Sequence, residues 1–250
     1  MNKPLVSIIT PCYNAEKTIR DTIESVLKQD YENFEYIIVD GQSTDRTLDI
    51  INEYSDSRIR YISEKDNGVY DAMNKGIKMA KGVLVGIINA DDWYEQDTLT
   101  EVVSKYNEGQ MEIHYGMLAI YKNNVLEKKQ LIYDSMLYMS MISHPTCFVA
   151  KKVYDELGGY DTNYAMTADY EFMVRCKYSK KVQFIVHEKT LANFRIGGLS
   201  SNDRTKDIAY MENLQVRKKY ALIDEKVYKR EMKIVNFKNC IKKIAKIIKK

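Results

Sequence analysis

The sequence predicts an α/β protein: a central mixed, mostly parallel sheet flanked by helices, with a basic amphipathic helix at the C-terminus. Three observations carry that prediction. Strand-like apolar runs alternate with helix-length amphipathic segments through the first half, as in right-handed βαβ units. The run Val83-Leu84-Val85-Gly86-Ile87-Ile88 is apolar without alternation, the mark of a strand buried on both faces of a parallel sheet. Near the end, Ile234, Phe237, Ile241, Ile244, Ala245 and Ile248 recur at helical spacing with lysines between them.

Leu5 to Cys12 reads as the first strand. Ala15 to Gln29 follows as a helix with Ile19, Ile23, Val26 and Leu27 on one face. Phe34 to Asp40, Arg58 to Ser63 and Val83 to Asn89 are the next strands, separated by helices over Thr44 to Tyr54 and Val69 to Ala80. A further helix is expected over Gln96 to Tyr106. In the second half, Glu112 to Lys122 and Val125 to Tyr133 form a hairpin joined by Asn123-Asn124. Thr146 to Ala150 is a short strand, Ala168 to Tyr178 a helix, and Val182 to Val186 and Thr190 to Arg195 are strands. From Asn202 the chain reads as mostly helical.

At 250 residues the chain can enclose a sizeable core. Cys12, Cys147, Cys176 and Cys240 are scattered, with no CxxC pair or His/Cys cluster. That disfavours a disulfide scaffold or a zinc site and predicts a reducing, cytoplasmic setting. No run approaches the roughly 20 apolar residues of a spanning helix. The net charge of +3 conceals an asymmetry: residues 226–250 carry +9 and the rest of the chain −6.

Candidate chemistry gathers where strands end. The first, second and fourth strands deliver Thr10-Pro11-Cys12-Tyr13-Asn14, Asp40 with Ser43, Thr44 and Asp45, and Asp91-Asp92 to one edge of the sheet. Open α/β sheets bind ligands at that edge. The acid pair suits a hard cation serving a phosphate. Adjacent side chains point apart, so one acid can take a metal and the other a ribose hydroxyl. Helix capping explains Ser43 to Asp45 equally well.

The segments VSIITPCYNAEKTIRDTIESVLKQDYENFEYIIVDGQSTDRT, GVLVGIINADDWY, SHPTCFV, LGGYDTNYAMTADYEFMVR and FRIGGLSS occur in this order within residues 4–201. Together they resemble the family 2 glycosyltransferases, which have the Rossmann-like GT-A fold. SEKDNGVYDAMNKGIKMAKG resembles the subgroup that builds bacterial surface polysaccharides. The resemblance implies one glycosyltransferase domain over 1–201, with a nucleotide-binding half (1–110) and an acceptor-binding half (111–201), then a helical extension over 202–250. It implies Thr10, Pro11, Tyr13, Asp40 and Asp91 at the nucleotide, Asp92 with Asp91 at Mn²⁺ or Mg²⁺, and Asp169 as catalytic base. Asp71, Asn74, Lys75, Trp93, His144, Gly159, Arg195 and Ser200 would border the donor or acceptor sugar. The implied reaction is inverting transfer of one sugar from a nucleotide diphosphate sugar, by preference a UDP-sugar, to a glycan or lipid-linked acceptor. Such a displacement needs a base for the acceptor hydroxyl and a cation to stabilise the departing diphosphate.

Several positions depart from the family pattern. Gly41 stands where many members have a second acid, leaving Asp40 to contact the base. Asn89 replaces a frequent Asp, Ala168 the Glu before the catalytic base, and Tyr70 to Asn74 a common Ala-Arg-Asn. The Gln/Arg-x-x-Arg-Trp pattern of processive polymerases is absent, which implies single additions. A sugar nucleotidyltransferase would need a glycine-rich phosphate loop that Pro11 to Ala15 does not supply. A non-catalytic membrane-binding adaptor would have no use for Asp91, Asp92 and Asp169. The basic tail suits an anionic membrane surface on the cytoplasmic side, with packing on protein as the alternative. Its lack of interleaved aromatics and arginines argues against nucleic acid.

Overall fold

The computed structural model describes residues 3–197 and 203–235. The first half is built from β1 (Val6–Cys12), α1 (Ile19–Leu27), β2 (Phe34–Asp40), α2 (Thr47–Asn52), β3 (Ile59–Ser63), α3 (Val69–Met79), β4 (Leu84–Ile87), β5 (Trp93–Tyr94) and α4 (Thr98–Ser104). The second half adds β6 (Glu112–Lys122), β7 (Val125–Gln130), β8 (Phe148–Ala150), α5 (Lys151–Leu157), α6 (Ala168–Ser179), β9 (Gln183–Arg195) and α7 (Asp203–Lys219). Residues 225–235 are also helical.

One sheet runs β3-β2-β1-β4-β8-β6-β9-β5, with β7 paired to β6. The first four strands are parallel, β8 is antiparallel to both β4 and β6, and β9 returns parallel to β6. Val6, Ile8 and Ile9 of β1, Tyr36 to Val39 of β2 and Leu84, Val85 and Ile87 of β4 are buried, which is why these strands read as apolar runs. The β1-α1-β2 and β3-α3-β4 crossovers travel in opposite directions across the sheet. With right-handed connections they put α1 and α2 on one face and α3 on the other.

The predicted strands of the first half are all present, and its helices are shorter than expected. The start of α1 is displaced because the backbone N–H groups of Ala15 and Glu16 are taken by Thr47 Oγ1 (2.7 Å) and Asp45 Oδ2 (3.1 Å). Asp45 thus ties one strand-end loop to the next, besides accepting from Thr47 N at 3.0 Å. The expected hairpin forms, with Asn123 and Asn124 both left-handed (φ 49° and 63°), as a two-residue turn requires. The two strands expected after residue 182 are one. The chain bulges where His187 and Thr190 follow each other opposite Gly116 and Met117, and pairing with β6 then resumes. Short β5 and α5 carry too few residues for periodicity to reveal them.

The boundary expected at 201 separates α7 from elements it binds. Glu212 accepts from Ala165 N and Met166 N, both at 2.8 Å, and Glu171 of α6 meets Lys219 (2.8 Å) and Tyr220 (2.6 Å). Much of the apolar stripe of the tail lies at 236–250, outside the described residues. No described helix is long and apolar enough to cross a membrane.

A buried polar chain crosses β6 and β9. His114 faces Glu112 (3.2 Å) and His187 (3.1 Å), and His187 faces Glu101 (2.7 Å). Burial pushes His187 down and, with help from His187, takes His114 to about 4; Lys105 disfavours both cations, while the two glutamates pull the other way. An unfolded histidine titrates near 6.5, so below that pH the unfolded state binds the extra proton and stability falls. We expect about 2 kcal/mol of stability to be lost between pH 7 and pH 5 through His114 alone. Urea unfolding at the two pH values checks this. His114→Gln should flatten the difference, and an unchanged difference would refute it.

Candidate active site

The carboxyl edge of the parallel strands is laced into a rigid rim. Asn14 is left-handed (φ 50°); its N–H donates to Ser43 Oγ (2.8 Å) and its side-chain oxygen accepts from Thr44 N (2.8 Å). This leaves Tyr13 projecting into solvent, 62% exposed, beside the buried end of β1 that includes Pro11. Thr10 does not line this rim. It is fully buried and its hydroxyl accepts from Tyr36 at 3.0 Å. Asp40 also departs from expectation. It has no exposure, and its carboxylate accepts from Ser43 N (3.0 Å), Ser43 Oγ, Ser63 Oγ (2.6 Å) and the Cys12 thiol (3.7 Å). A carboxylate so satisfied organises the loop; it has nothing left for a base.

A different acid takes the outward position. A Cβ at Gly41 would run into the carboxylate of Asp66 and touch the ring of Tyr13. Glycine at 41 thus leaves the room in which Asp66, from the loop before α3, lies beside Tyr13. Asp66 Oδ1 accepts from Gly68 N at 2.9 Å, which fixes the side chain. The sequence reading missed Asp66. Its only signal was the small residue at 41.

The acid pair after β4 divides as adjacent side chains should, and Asp92, expected with Asp91 at the metal, is the one that is enclosed. Asp92 is fully buried, accepting from Arg195 N (3.1 Å) and Asn89 Nδ2 (3.3 Å). Burial and the neighbouring Asp91 charge push its carboxyl well up. Asp91 is half-buried and meets no side-chain donor among the described residues, and burial raises its carboxyl too. Of the two, Asp91 is the carboxylate left open to a cation, while Asp92 is enclosed. No described cluster of three or more His, Cys, Asp or Glu could cage a metal alone. One open carboxylate fits a Mg²⁺- or Mn²⁺-type ion whose other ligands are phosphate oxygens and water.

Asp169 opens α6 on the face that carries α3. Its Oδ1 accepts from the hydroxyl of Tyr70 (2.8 Å) and from Tyr170 N (2.9 Å). Oδ2 has no described donor. Glu212 holds the turn that leads into α6, reaching Thr167 Oγ1 at 3.2 Å. Tyr70 and Glu212 thus orient an acid that lacks the usual carboxylate before it. Neither residue stood out in the sequence.

Several residues expected at the sugar have protein partners. Asn74 clasps the peptide of Tyr160, accepting from its N–H (2.9 Å) and donating to its carbonyl (2.8 Å). A Cβ at Gly159 would strike that amide, and Arg175 holds the same turn through Gly159 O (2.6 Å). Lys75 is committed to Glu64 (3.0 Å) and Asp71 (3.6 Å), while Asp71 accepts from Asn67 N at 3.0 Å. His144 is buried against the Tyr160 hydroxyl (3.0 Å), and burial lowers its basicity. Arg195 lies over the ring of Trp93 (5.2 Å) and pairs with Asp21 of α1 (2.8 Å). Ser200 lies outside the described residues.

Comparison with known proteins agrees with this arrangement. The model of the family described as Glycosyl transferase family 2 matches residues 7–162. The PGL/p-HBAD biosynthesis glycosyltransferase of Mycobacterium bovis (strain BCG / Pasteur 1173P2) is 32% identical over 207 residues, covering 80% of this chain and 81% of that protein. The Escherichia coli UDP-Glc:alpha-D-GlcNAc-diphosphoundecaprenol beta-1,3-glucosyltransferase WfgD is 34% identical over 145 residues, covering 58% of this chain and 57% of WfgD. The solved structure of the mannosyltransferase PcManGT from Pyrobaculum calidifontis, in complex with GDP-Man and Mn²⁺, superposes with a TM-score of 0.66 at 17% identity over 90% of this chain and 66% of its own. The fold is that of the GT-A glycosyltransferases, and this chain belongs to glycosyl transferase family 2.

Proposed function

We propose that the chain is a metal-dependent, inverting enzyme that moves a single sugar from a UDP-sugar to a glycan or lipid-linked acceptor of a bacterial surface polysaccharide or glycolipid. One observation carries the reading. Of the acids that follow the strand ends and open α6, Asp40 and Asp92 are buried on protein donors, while Asp91 and Asp169 each keep an oxygen with no described donor. The nucleobase stacks on Tyr13, and Asp66 accepts the ring N–H of uracil. Asp91 would hold a divalent cation, which would supply positive charge to the departing diphosphate. Asp169 takes the proton of the acceptor hydroxyl as it attacks the anomeric carbon, and Tyr70 keeps the carboxylate aimed. Attack from the side opposite the diphosphate inverts the sugar. WfgD, named for UDP-Glc and a diphosphoundecaprenol-linked acceptor, and PcManGT with Mn²⁺ lend support. A lipid-linked acceptor would bring the enzyme to the cytoplasmic face of a membrane, for which the +9 charge of residues 226–250 is suited.

A donor panel tests this. Incubation with UDP-, GDP- and dTDP-sugars should release UDP from at least one UDP-sugar in Mn²⁺ or Mg²⁺ and none in EDTA. Release from only GDP- or dTDP-sugars would overturn the UDP assignment, and undiminished release in EDTA would overturn the metal.

A further inference from the structure

A cleft of about 520 Å³ opens on the α1 face, between α1, β5 and the tip of the β6–β7 hairpin. Its volume is that of a small-molecule site. Its apolar part is a pair of rings, Trp93 and Tyr121, with centroids 5.0 Å apart and planes inclined by 49°. Around them stand Asp21 and Glu24 of α1, Asn124 of the hairpin turn and Arg195 at the end of β9. The charges are matched: Arg195 pairs with Asp21 at 2.8 Å and Lys28 with Glu24 at 2.7 Å. The side chains of Asp21 and Glu24 remain 59% and 42% exposed, so their second oxygens can still accept.

This lining selects a chemical class. Paired charges offer no net attraction to a phosphate or another anion. Two rings are too little apolar surface for a lipid chain; with Arg195 already lying over Trp93, the pair suits the C–H face of a single pyranose. Fixed carboxylates and an amide around such a platform match sugar hydroxyls, and mutual ion pairing holds them in place without a ligand. None of Tyr13, Asp66, Asp91 and Asp169 lines this cleft. Arg195, which does, gives its backbone N–H to Asp92 and brings its charge near Asp91, while Asp169 is hydrogen-bonded to Tyr70 of α3.

We propose that this cleft is a second saccharide site, which binds a neutral oligosaccharide away from the reacting sugar. That the ligand is a stretch of the acceptor glycan rests on the proposed transferase reading; the binding itself does not.

Trp93 is the only tryptophan in the chain, so its emission reports on the cleft. The test titrates the full-length protein with cellotriose, maltotriose, triacetylchitotriose and an anionic hyaluronan tetrasaccharide. The expected result is a saturable change in Trp93 emission with at least one neutral trisaccharide at millimolar concentration. Tyr121→Ala and Asp21→Asn should each weaken it about tenfold. UDP binding, followed by calorimetry, should be unchanged in both variants. No saturable response to any neutral sugar from protein that still binds UDP would overturn the proposal. So would a response unaffected by both substitutions, or tighter binding of the hyaluronan fragment. Loss of UDP binding in the parent protein would count against the transferase reading alone.

Discussion

Asp169→Asn should lower turnover by about 10²–10⁴-fold, the range contributed by a positioned general base. Amide and carboxylate are nearly isosteric, and the Tyr70 hydroxyl can still donate to the amide oxygen, so the fold should not register the change. UDP affinity should also hold, because the proposed contacts to the nucleobase are made by Tyr13 and Asp66. Initial rates of UDP release, with calorimetric UDP binding on the same preparations, separate the two effects. Tyr70→Phe tests the orientation independently. It removes one hydrogen bond of 2.8 Å to a charged acceptor and leaves the base in place. A single bond to a charged group is worth about 1.5–3 kcal/mol, which corresponds to about a tenfold to hundredfold loss. Unchanged turnover in Asp169→Asn would remove Asp169 from the reaction and leave α6 a purely structural helix.

How far the sequence foretold this site depends on how local each signal was. β1, β2 and β4 were legible because burial on both faces writes unbroken apolar runs, and strand ends in a parallel sheet must share an edge. Asp169 was legible through the family resemblance of its surroundings. The partners that make these acids usable were not. Tyr70 reaches Asp169 across 99 positions of sequence, and Glu212 reaches Thr167 across 45. Nothing in periodicity reports such distant pairs. Asp66 was hidden for the converse reason: its place is defined by a side chain that Gly41 lacks. Asn74 and Gly159 were expected at the sugar from the family's segments, and the clasp that Asn74 makes on the turn after Gly159 was not legible, since it joins positions 86 apart. The strands after residue 182 were read as two because a bulge interrupts alternation without interrupting pairing.

The acid pair is the sharpest case, since alternation said the two carboxylates differ and could not say which faces out. Asp91→Asn should therefore cost the metal-dependent part of UDP affinity and about 10²–10³ in turnover, the loss expected when several kcal/mol of cation-borne stabilisation of the leaving group disappears. Its folding stability should be unchanged or slightly higher, because Asp91 has no described side-chain donor and burial already disfavours its charge. Asp92→Ala should behave in the opposite way. It leaves Arg195 N without its acceptor and empties a fully buried site, costing about 1–3 kcal/mol of stability for the unpaired group alone. The surviving folded fraction should still show Mn²⁺-dependent UDP binding, since its Asp91 is intact. Thermal melts paired with UDP titrations in Mn²⁺ and in EDTA measure both quantities on each variant. If Asp92→Ala abolishes the metal dependence and Asp91→Asn preserves it, the loop must turn over when donor binds, and the carboxylate enclosed here is the one that meets the cation.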